Sequence, residues 1–179
     1  MKKEELFYHI PEIQFPCDEL HAWAARNEKH FHKNRGYKYA LNGVMIPASF
    51  AKILNDQIKL DLAIYNKGMP LFDGGQLFIL TEEYPMHDDK FRDTALNYVL
   101  AGDGVTMWDE GTVCEYKTGV ATLFNPQVPH VIFPKGDVPR MAVSFSVSMS
   151  YQRVVTLYKA GMLFETRDRI WKWTEIVPE

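Results

Sequence analysis

A histidine and an aspartate lie two residues apart in one short segment of the sequence, at His87 and Asp89. On an extended backbone, side chains at this spacing leave the same face, so an imidazole and a carboxylate would converge on one point. A second imidazole, His130, follows 43 residues after His87, at the start of another predicted strand. Two imidazoles and one carboxylate are the ligand set that leaves coordination positions open on Fe(II). Asp88 is the competing carboxylate, and strand alternation favours Asp89.

Arg140 adds a cationic group ten residues beyond His130. It begins a segment in which two faces alternate strictly, and one face would carry Arg140, Ala142, Ser144, Ser146 and Ser148. If the apolar face packs under helices, this polar face looks into a barrel with a guanidinium at its mouth. The planar guanidinium matches a carboxylate in bidentate geometry. We therefore expect Arg140 to bind the distal carboxylate of a metal-chelating 2-oxo acid.

The period of the apolar residues predicts the elements that position these groups. In the first third of the chain, Asp18 and Ser49 are placed to cap two helices, with Leu20, Trp23 and Ala24 aligned on the first and Phe50, Ile53, Leu54 and Ile58 on the second. From about residue 60 the period shortens to two and turn residues recur, which predicts short strands. They are expected at residues 60–65, 76–80, 94–100, 105–108, 112–116, 120–124, 130–133 and 140–149. About eight short strands in about ninety residues predict a mainly β chain with flanking helices, folded as a double-stranded β-helix, the cupin-like jelly roll.

The length of 179 residues suits one domain with a single core. We expect a helical and strand support over residues 1–59, the jelly-roll core over 60–149, and a closing helix and tail over 150–179. Ser150 is the predicted cap of that helix, Gly161 lies near its end, and Trp171 and Trp173 are expected to pack rather than trail in solvent.

Composition excludes several classes of function. The 20 basic and 23 acidic residues give a net charge of −3, and no basic run could neutralise a row of phosphates, so a nucleic-acid partner is not expected. No window approaches the roughly 18 apolar residues of a membrane span, and the N-terminus lacks the apolar stretch of a secretion signal. We therefore expect a cytoplasmic protein without a membrane partner. Cys17 and Cys114 lack the spacing of a zinc or redox pair and are expected to be reduced thiols.

The segment from about Leu77 to Val147 resembles the Fe(II) and 2-oxoglutarate dependent dioxygenase superfamily, nearest to its small prolyl-hydroxylase-like and phage or marine-bacterial members. Those proteins carry a His-x-Asp pair, a distal histidine and a basic residue about ten positions later. In this chain His87, Asp89, His130 and Arg140 match that pattern. The stretch Thr94-Ala95-Leu96-Asn97 is also similar to a strand of the phage-type members.

This resemblance implies that His87, Asp89 and His130 ligate Fe(II) and that Arg140 anchors 2-oxoglutarate. It implies that O2 and 2-oxoglutarate are converted to succinate and CO2 while an unidentified small-molecule or peptide substrate is hydroxylated. Further side chains are expected to line the cavity, and three of them to contact the co-substrate. These three are Gln76, Asn97 and Tyr98, and the other lining residues are Tyr84 and Trp108.

Two other functions fit parts of the same pattern. A cupin-type metal enzyme would use the same architecture without 2-oxoglutarate, and the segment from Gly119 to His130 is similar to the second cupin motif. The first cupin motif, however, needs a glutamate downstream of its histidines, and none occurs between His87 and Glu110. A metal-free jelly roll that binds a ligand or another chain would show no iron uptake. Individually, His87 and Asp89 could form a surface pair, His130 could be structural, and Arg140 could pair with Asp137.

Overall fold

Antiparallel β-strands make up most of the regular secondary structure in a computed structural model that describes residues 2–34, 37–40, 47–58, 76–90, 92–147 and 149–164. The strands along these residues are β1 (Phe7–Ile10), β2 (His32–Asn34), β3 (Tyr37–Ala40), β4 (Gln76–Leu80), β5 (Tyr84–His87), β6 (Thr94–Ala101), β7 (Asp103–Trp108), β8 (Val113–Glu115), β9 (Ala121–Phe124), β10 (His130–Lys135) and β11 (Arg140–Val147). The α-helices are α1 (Cys17–Asn27), α2 (Ala48–Ile58) and α3 (Tyr151–Lys159). None of the helices in this part of the chain is long and apolar enough to cross a bilayer.

Strands β4 to β11 alternate between two sheets, except that β7 and β8 form a hairpin within the smaller one. The larger sheet has seven strands in the order β1-β9-β6-β11-β4-β3-β2, and the smaller has four in the order β5-β10-β7-β8. The pairings are antiparallel throughout both sheets. The chain thus crosses repeatedly between the two layers from β4 to β11, which is the arrangement of a double-stranded β-helix. The predicted jelly-roll fold is confirmed.

Seven of the predicted strands, β4 and β6 to β11, are confirmed with ends that differ from the prediction by at most two residues. The strand predicted at residues 60–65 and the tail with Trp171 and Trp173 lie outside the described residues. An extended backbone was expected at His87 and Asp89, and strand β5 does contain His87 but ends there, before Asp89. Its bounds were not predicted, because it has only four residues and one of them is Pro85. A proline lacks the amide hydrogen that a sheet ladder uses, and it weakens the sequence signal for a strand.

The main apolar core lies between the larger sheet and the helices. Along β11, Met141, Val143, Phe145 and Val147 are buried in this core, where they meet residues such as Leu20 of α1 and Leu157 of α3. The predicted alternation of β11 is therefore confirmed. Its other face, which begins with Arg140, is left to line the space between the two sheets.

The helix boundaries correct two details. Helix α1 begins at Cys17 with Pro16 at its N-cap, and α2 begins at Ala48. Asp18 and Ser49, which were predicted as N-caps, therefore lie inside the first turn of their helices. Ile53 is 38% exposed, whereas Leu54 and Ile58 are buried, because residues four apart share a helix face. Ser150 does stand at the N-cap of α3, and Gly161 with φ of 70° follows its end. A positive φ suits glycine, which has no Cβ to clash.

Candidate functional site

A cavity of about 300 Å³ lies between the two sheets. Strands β4, β6, β9 and β11 contribute its lining on one side, and β5 and β10 contribute it on the other. Six of the seven side chains predicted to hold a metal or co-substrate line it: Gln76, His87, Asp89, Asn97, His130 and Arg140. Tyr84, predicted as a lining residue, also does so. The fold thus brings groups from several separate strands into one space.

His87 and His130 lie side by side on adjacent strands of the smaller sheet. They are paired residues of β5 and β10, and their ring centroids are 4.2 Å apart. In each ring Nδ1 lies 2.8 Å from a backbone carbonyl oxygen, that of Pro85 for His87 and that of Val128 for His130. A carbonyl oxygen only accepts hydrogen bonds, so Nδ1 carries the proton and Nε2 of the neutral ring keeps a lone pair. A histidine that binds metal through Nε2 is oriented by such a bond.

The environment of His130 keeps its ring neutral. Burial lowers its pKa to about 4, and the nearby His87 acts in the same direction, while the hydrogen bond to Val128 opposes the shift. The residue is only 2% exposed. Because metal ligation requires an unprotonated imidazole, protons do not compete for His130 at neutral pH.

Asp89 follows β5 in a loop that is tied to the histidine strands. Its backbone N–H donates to the carbonyl of Pro126 at 2.8 Å, which joins this loop to the turn before β10. Its carboxylate lines the cavity and is 3.3 Å from Nη1 of Arg92. Asp88 instead pairs at 3.7 Å with Lys90, whose side chain is 75% exposed. The geometry therefore favours Asp89 over Asp88 as the carboxylate of the site.

The donor types at His87, Asp89 and His130 fit Fe(II). Two neutral imidazoles and a carboxylate leave further positions for a chelating co-substrate and O2. Within the ranges that the structure describes, no three His, Cys, Asp or Glu side chains are already arranged to hold an ion. Both thiols are buried, and burial raises the pKa of Cys17 to about 11 and that of Cys114 to about 12, so neither supplies a thiolate. Metal ligation by the three residues stays a prediction.

Arg140 is buried with part of its guanidinium unpaired. The residue is 1% exposed, and among the described residues Nε and Nη1 have no hydrogen-bond partner. Its guanidinium carbon lies 4.5 Å from the ring centroid of Tyr116 and 5.8 Å from that of Phe78. Burial lowers the pKa of Arg140, whereas Tyr116 acts in the opposite direction. Since a buried donor without a partner is costly, this group is suited to receive an anionic ligand.

Gly104 on β7 makes room for that arginine. A Cβ at position 104 would lie 2.4 Å from Cδ of Arg140 and 2.8 Å from the carbonyl oxygen of Phe133. Any other residue would therefore displace the arginine stem or the strand. A guanidinium seated in this way, with unpaired N–H groups in the cavity, fits the distal carboxylate of 2-oxoglutarate. Asp137, the alternative partner considered from the sequence, is exposed at the surface.

Asn97 and Tyr116 add polar groups to the same wall. Oδ1 of Asn97 accepts a hydrogen bond of 2.5 Å from the hydroxyl of Ser144, so residues of β6 and β11 are joined inside the cavity. The Tyr116 hydroxyl lies 3.1 Å from Oγ1 of Thr106. Burial raises the pKa of Tyr116 to about 12, which leaves its hydroxyl protonated at neutral pH. Sequence reasoning missed Tyr116, although it is the last residue of a predicted strand.

Arg92 is the second residue that sequence reasoning missed. It lines the cavity and donates to the hydroxyls of Ser144 at 2.6 Å and Ser146 at 2.8 Å, besides its contact with Asp89. The sequence holds a weak signal for it, because Arg92 lies three residues after Asp89 and the serine face of β11 was predicted.

The prediction that Tyr98 contacts the co-substrate is wrong. Asn97 faces the cavity, so the next residue on β6 must face the opposite side of the sheet. There Tyr98 is fully buried in the apolar core and stacks on Phe15 with ring centroids 4.7 Å apart. Trp108 is not a lining residue either. It belongs to a smaller apolar cluster and stacks on Phe7 at 5.6 Å.

No protein-family model and no curated protein matches the sequence. Solved structures do match the fold. A prolyl hydroxylase from Trichoplax adhaerens, in complex with a hypoxia inducible factor oxygen degradation domain peptide fragment, aligns with a TM-score of 0.54 at 14% identity, over 86% of this chain and 87% of that chain. The non-heme alpha ketoglutarate dependent epimerase SnoN from nogalamycin biosynthesis aligns with a TM-score of 0.54 at 13% identity, over 80% of this chain and 78% of that one.

A Pseudomonas putida prolyl-4-hydroxylase aligns at 15% identity with a TM-score of 0.49, over 79% of this chain and 91% of the other. At these identities the likeness concerns the fold. The chain is thus a jelly-roll protein whose structural neighbours include a prolyl hydroxylase and an alpha ketoglutarate dependent epimerase.

Proposed function

We propose that this protein is a non-haem Fe(II) and 2-oxoglutarate dependent dioxygenase that hydroxylates a substrate not yet identified. One observation carries the proposal. A single cavity combines two imidazoles whose Nδ1 atoms are held by carbonyls, a carboxylate, and the buried guanidinium of Arg140 with two unpaired nitrogen atoms. A metal enzyme that does not use 2-oxoglutarate would have no need of that guanidinium.

In this proposal His87, Asp89 and His130 hold the metal, while Arg140 and Tyr116 hold the co-substrate. When bound, Fe(II) and 2-oxoglutarate supply the activation of O2 that couples formation of succinate and CO2 to hydroxylation of a substrate carbon. The other contributions come from the chain itself.

The chain orients and desolvates the reacting partners. The Pro85 and Val128 carbonyls fix both imidazoles in one tautomer, so that each Nε2 is preset for a ligand bond. Burial of Arg140 strengthens its attraction for a carboxylate, because charges interact more strongly away from water. The side chains of Phe124 and Ile132 line the cavity and limit the water that can enter.

The direct test is an anaerobic titration of the purified protein with Fe(II) and 2-oxoglutarate, monitored by visible charge-transfer absorption. The band should form with the wild-type protein and be absent in His130→Ala. In Arg140→Met, metal should still bind, but the band should need more than about tenfold higher 2-oxoglutarate because a charge-assisted pair is lost. His21→Ala on α1, a histidine outside the cavity, should behave as the wild type does.

The alternatives give different results in the same titration. A folded wild-type protein that binds Fe(II) but gives no band with 2-oxoglutarate would support the cupin-type enzyme. A folded protein that takes up neither Fe(II) nor Mn(II) would support the metal-free ligand-binding jelly roll. An unchanged band in His130→Ala would also remove the proposal.

A further inference from the structure

Arg92 connects the Asp89 carboxylate to β11, the middle strand of the larger sheet. Its Nε donates to Ser146 at 2.8 Å and its Nη2 donates to Ser144 at 2.6 Å. Both bonds are short, so they fix the plane of the guanidinium against the sheet. Nη1 then points at Oδ2 of Asp89 at 3.3 Å, and the arginine side chain is only 18% exposed.

Asp89 needs such a partner because its own segment is weakly held. It follows β5, which has four residues and, among the described strands, pairs with β10 alone. Between described residues, two backbone hydrogen bonds hold the loop, from Asp89 N–H to the carbonyl of Pro126 at 2.8 Å and from Arg92 N–H to the carbonyl of Asp89 at 2.9 Å. Neither restricts rotation of the Asp89 carboxylate, whose side chain is 32% exposed. In the part of the chain that the structure describes, the contact with Arg92 is the one that restricts it.

We propose that Arg92 is a positioning residue of the metal site. Anchored on the serines of β11, it turns the Asp89 carboxylate toward His87 and His130 and occupies Oδ2, which leaves Oδ1 for the ion. The inference rests on the proposed function, since it takes Asp89 as a metal ligand. It extends that function by tying the geometry of the metal site to the strand that also carries Arg140.

Orientation and charge predict opposite effects of removing this arginine. A guanidinium next to a metal ligand repels a cation, so on charge alone its removal would tighten metal binding. If it orients the carboxylate, removal weakens metal binding, and outer-shell partners of this kind typically contribute about 10-fold to 100-fold in affinity. The sign of the change therefore tests the proposal.

The experiment measures Mn(II) affinity by the EPR signal of free Mn(II), without 2-oxoglutarate. Arg92→Ala should bind Mn(II) about 10-fold to 100-fold more weakly than the wild type. Arg92→Lys should stay close to Arg92→Ala, because an ammonium keeps the charge but not the planar fork that reaches three partners. Ser146→Ala removes one anchor while leaving the guanidinium and Asp89 intact, and it should weaken binding by about 3-fold to 10-fold as a partial loss of the same orientation.

Lys90→Ala is the matched control in the same loop, because Lys90 pairs with Asp88 rather than Asp89. Its Mn(II) affinity should equal that of the wild type. With Co(II) as the probe, the d–d absorption should change in Arg92→Ala and in Ser146→Ala but not in Lys90→Ala. A general loss of stability would not alter the spectrum of the folded, loaded fraction.

Unchanged or tighter Mn(II) binding in a folded Arg92→Ala variant would overturn the proposal, and so would wild-type affinity in Arg92→Lys. If Arg92→Ala does not fold, as judged by circular dichroism, Ser146→Ala decides: weaker binding supports the role of Arg92 and unchanged binding overturns it. Failure of the wild-type protein to bind Mn(II) counts against the proposed function itself. Wild-type binding with unaffected variants counts against the positioning role alone.

Discussion

Replacing Arg140 with methionine should stabilise the protein when no co-substrate is present. Arg140 is 1% exposed and two of its nitrogen atoms lack partners among the described residues. Each buried unpaired donor costs about 1–3 kcal/mol. The lost contact with the Tyr116 ring offsets about 0.5–2 kcal/mol. With central values of about 4 kcal/mol for the two donors and about 1 kcal/mol for the ring contact, the net gain in the free energy of unfolding should be about 3 kcal/mol, which at this length raises Tm by about 6–12 °C.

The same substitution should weaken stabilisation by 2-oxoglutarate. With Mn(II) present, the wild-type protein at a co-substrate concentration 100 times its Kd should gain about 2.7 kcal/mol. Arg140→Met, with a Kd at least about tenfold higher, should gain at most about 1.4 kcal/mol at the same concentration. The assay is urea unfolding followed by tryptophan fluorescence, with and without Mn(II) and 2-oxoglutarate.

Arg92→Met is the matched control, since it removes a second guanidinium from the same cavity. Arg92 is hydrogen bonded to two serines and to Asp89, so its loss leaves partners unsatisfied and should cost about 2–4 kcal/mol. Changes of opposite sign in the free energy of unfolding for Arg140→Met and Arg92→Met would show that hydrogen bonding of the guanidinium, rather than its charge, decides stability in this cavity. An Arg140→Met variant less stable than the wild type by about 1 kcal/mol or more would contradict this prediction, because Arg140 would then be satisfied without a ligand. So would undiminished stabilisation of that variant by 2-oxoglutarate.

Two further predictions concern neighbouring positions. Gly104→Ala places a Cβ 2.4 Å from Cδ of Arg140, so it should weaken 2-oxoglutarate binding by about tenfold or more in isothermal titration calorimetry. The Mn(II) affinity should stay unchanged. Equal losses of both affinities would contradict the role of Arg140 in binding the co-substrate. The pKa of His130 is about 4 in the folded chain against an ordinary value of 6.5, so the unfolded state takes up the proton first as pH falls through this window. Between pH 7 and pH 4 the wild-type protein should therefore lose up to about 3 kcal/mol more free energy of unfolding than His130→Gln does. Urea midpoints that shift equally with pH in the two proteins would contradict this prediction.

Strand β11 shows what the sequence could predict. Its strict alternation over eight residues indicated both the apolar face that packs under the helices and the face that Arg140 shares with the serines. The same rule, applied to β6, excludes Tyr98 once Asn97 is assigned to the cavity, because neighbouring residues of a strand point to opposite faces. The error at Tyr98 came from assigning adjacent residues to one site.

Other features depend on contacts that no local pattern reveals. Arg92 bonds to serines 52 and 54 residues away, so its role emerges only when β11 is brought beside the loop after β5. Tyr116 lies against Arg140 just after β8, where the chain crosses from the smaller sheet to the larger one, and among the described residues the unpaired nitrogen atoms of Arg140 reflect its burial. The sequence indicated which residues could meet, and the tertiary structure decides which of them have partners.

Strand β5 lies at the edge of the smaller sheet, and this position affects how fast a metal ion could bind and be released. A four-residue edge strand that contains a proline should separate from its neighbour at a lower free energy than interior strands such as β6 and β11 do. His87 would then move away from His130 while the rest of the fold stays intact. Ion exchange in the proposed enzyme is then governed by local fraying rather than by global unfolding. Amide hydrogen exchange should accordingly be faster at Met86 and His87 than along β11, and loss of metal should follow the faster of the two rates.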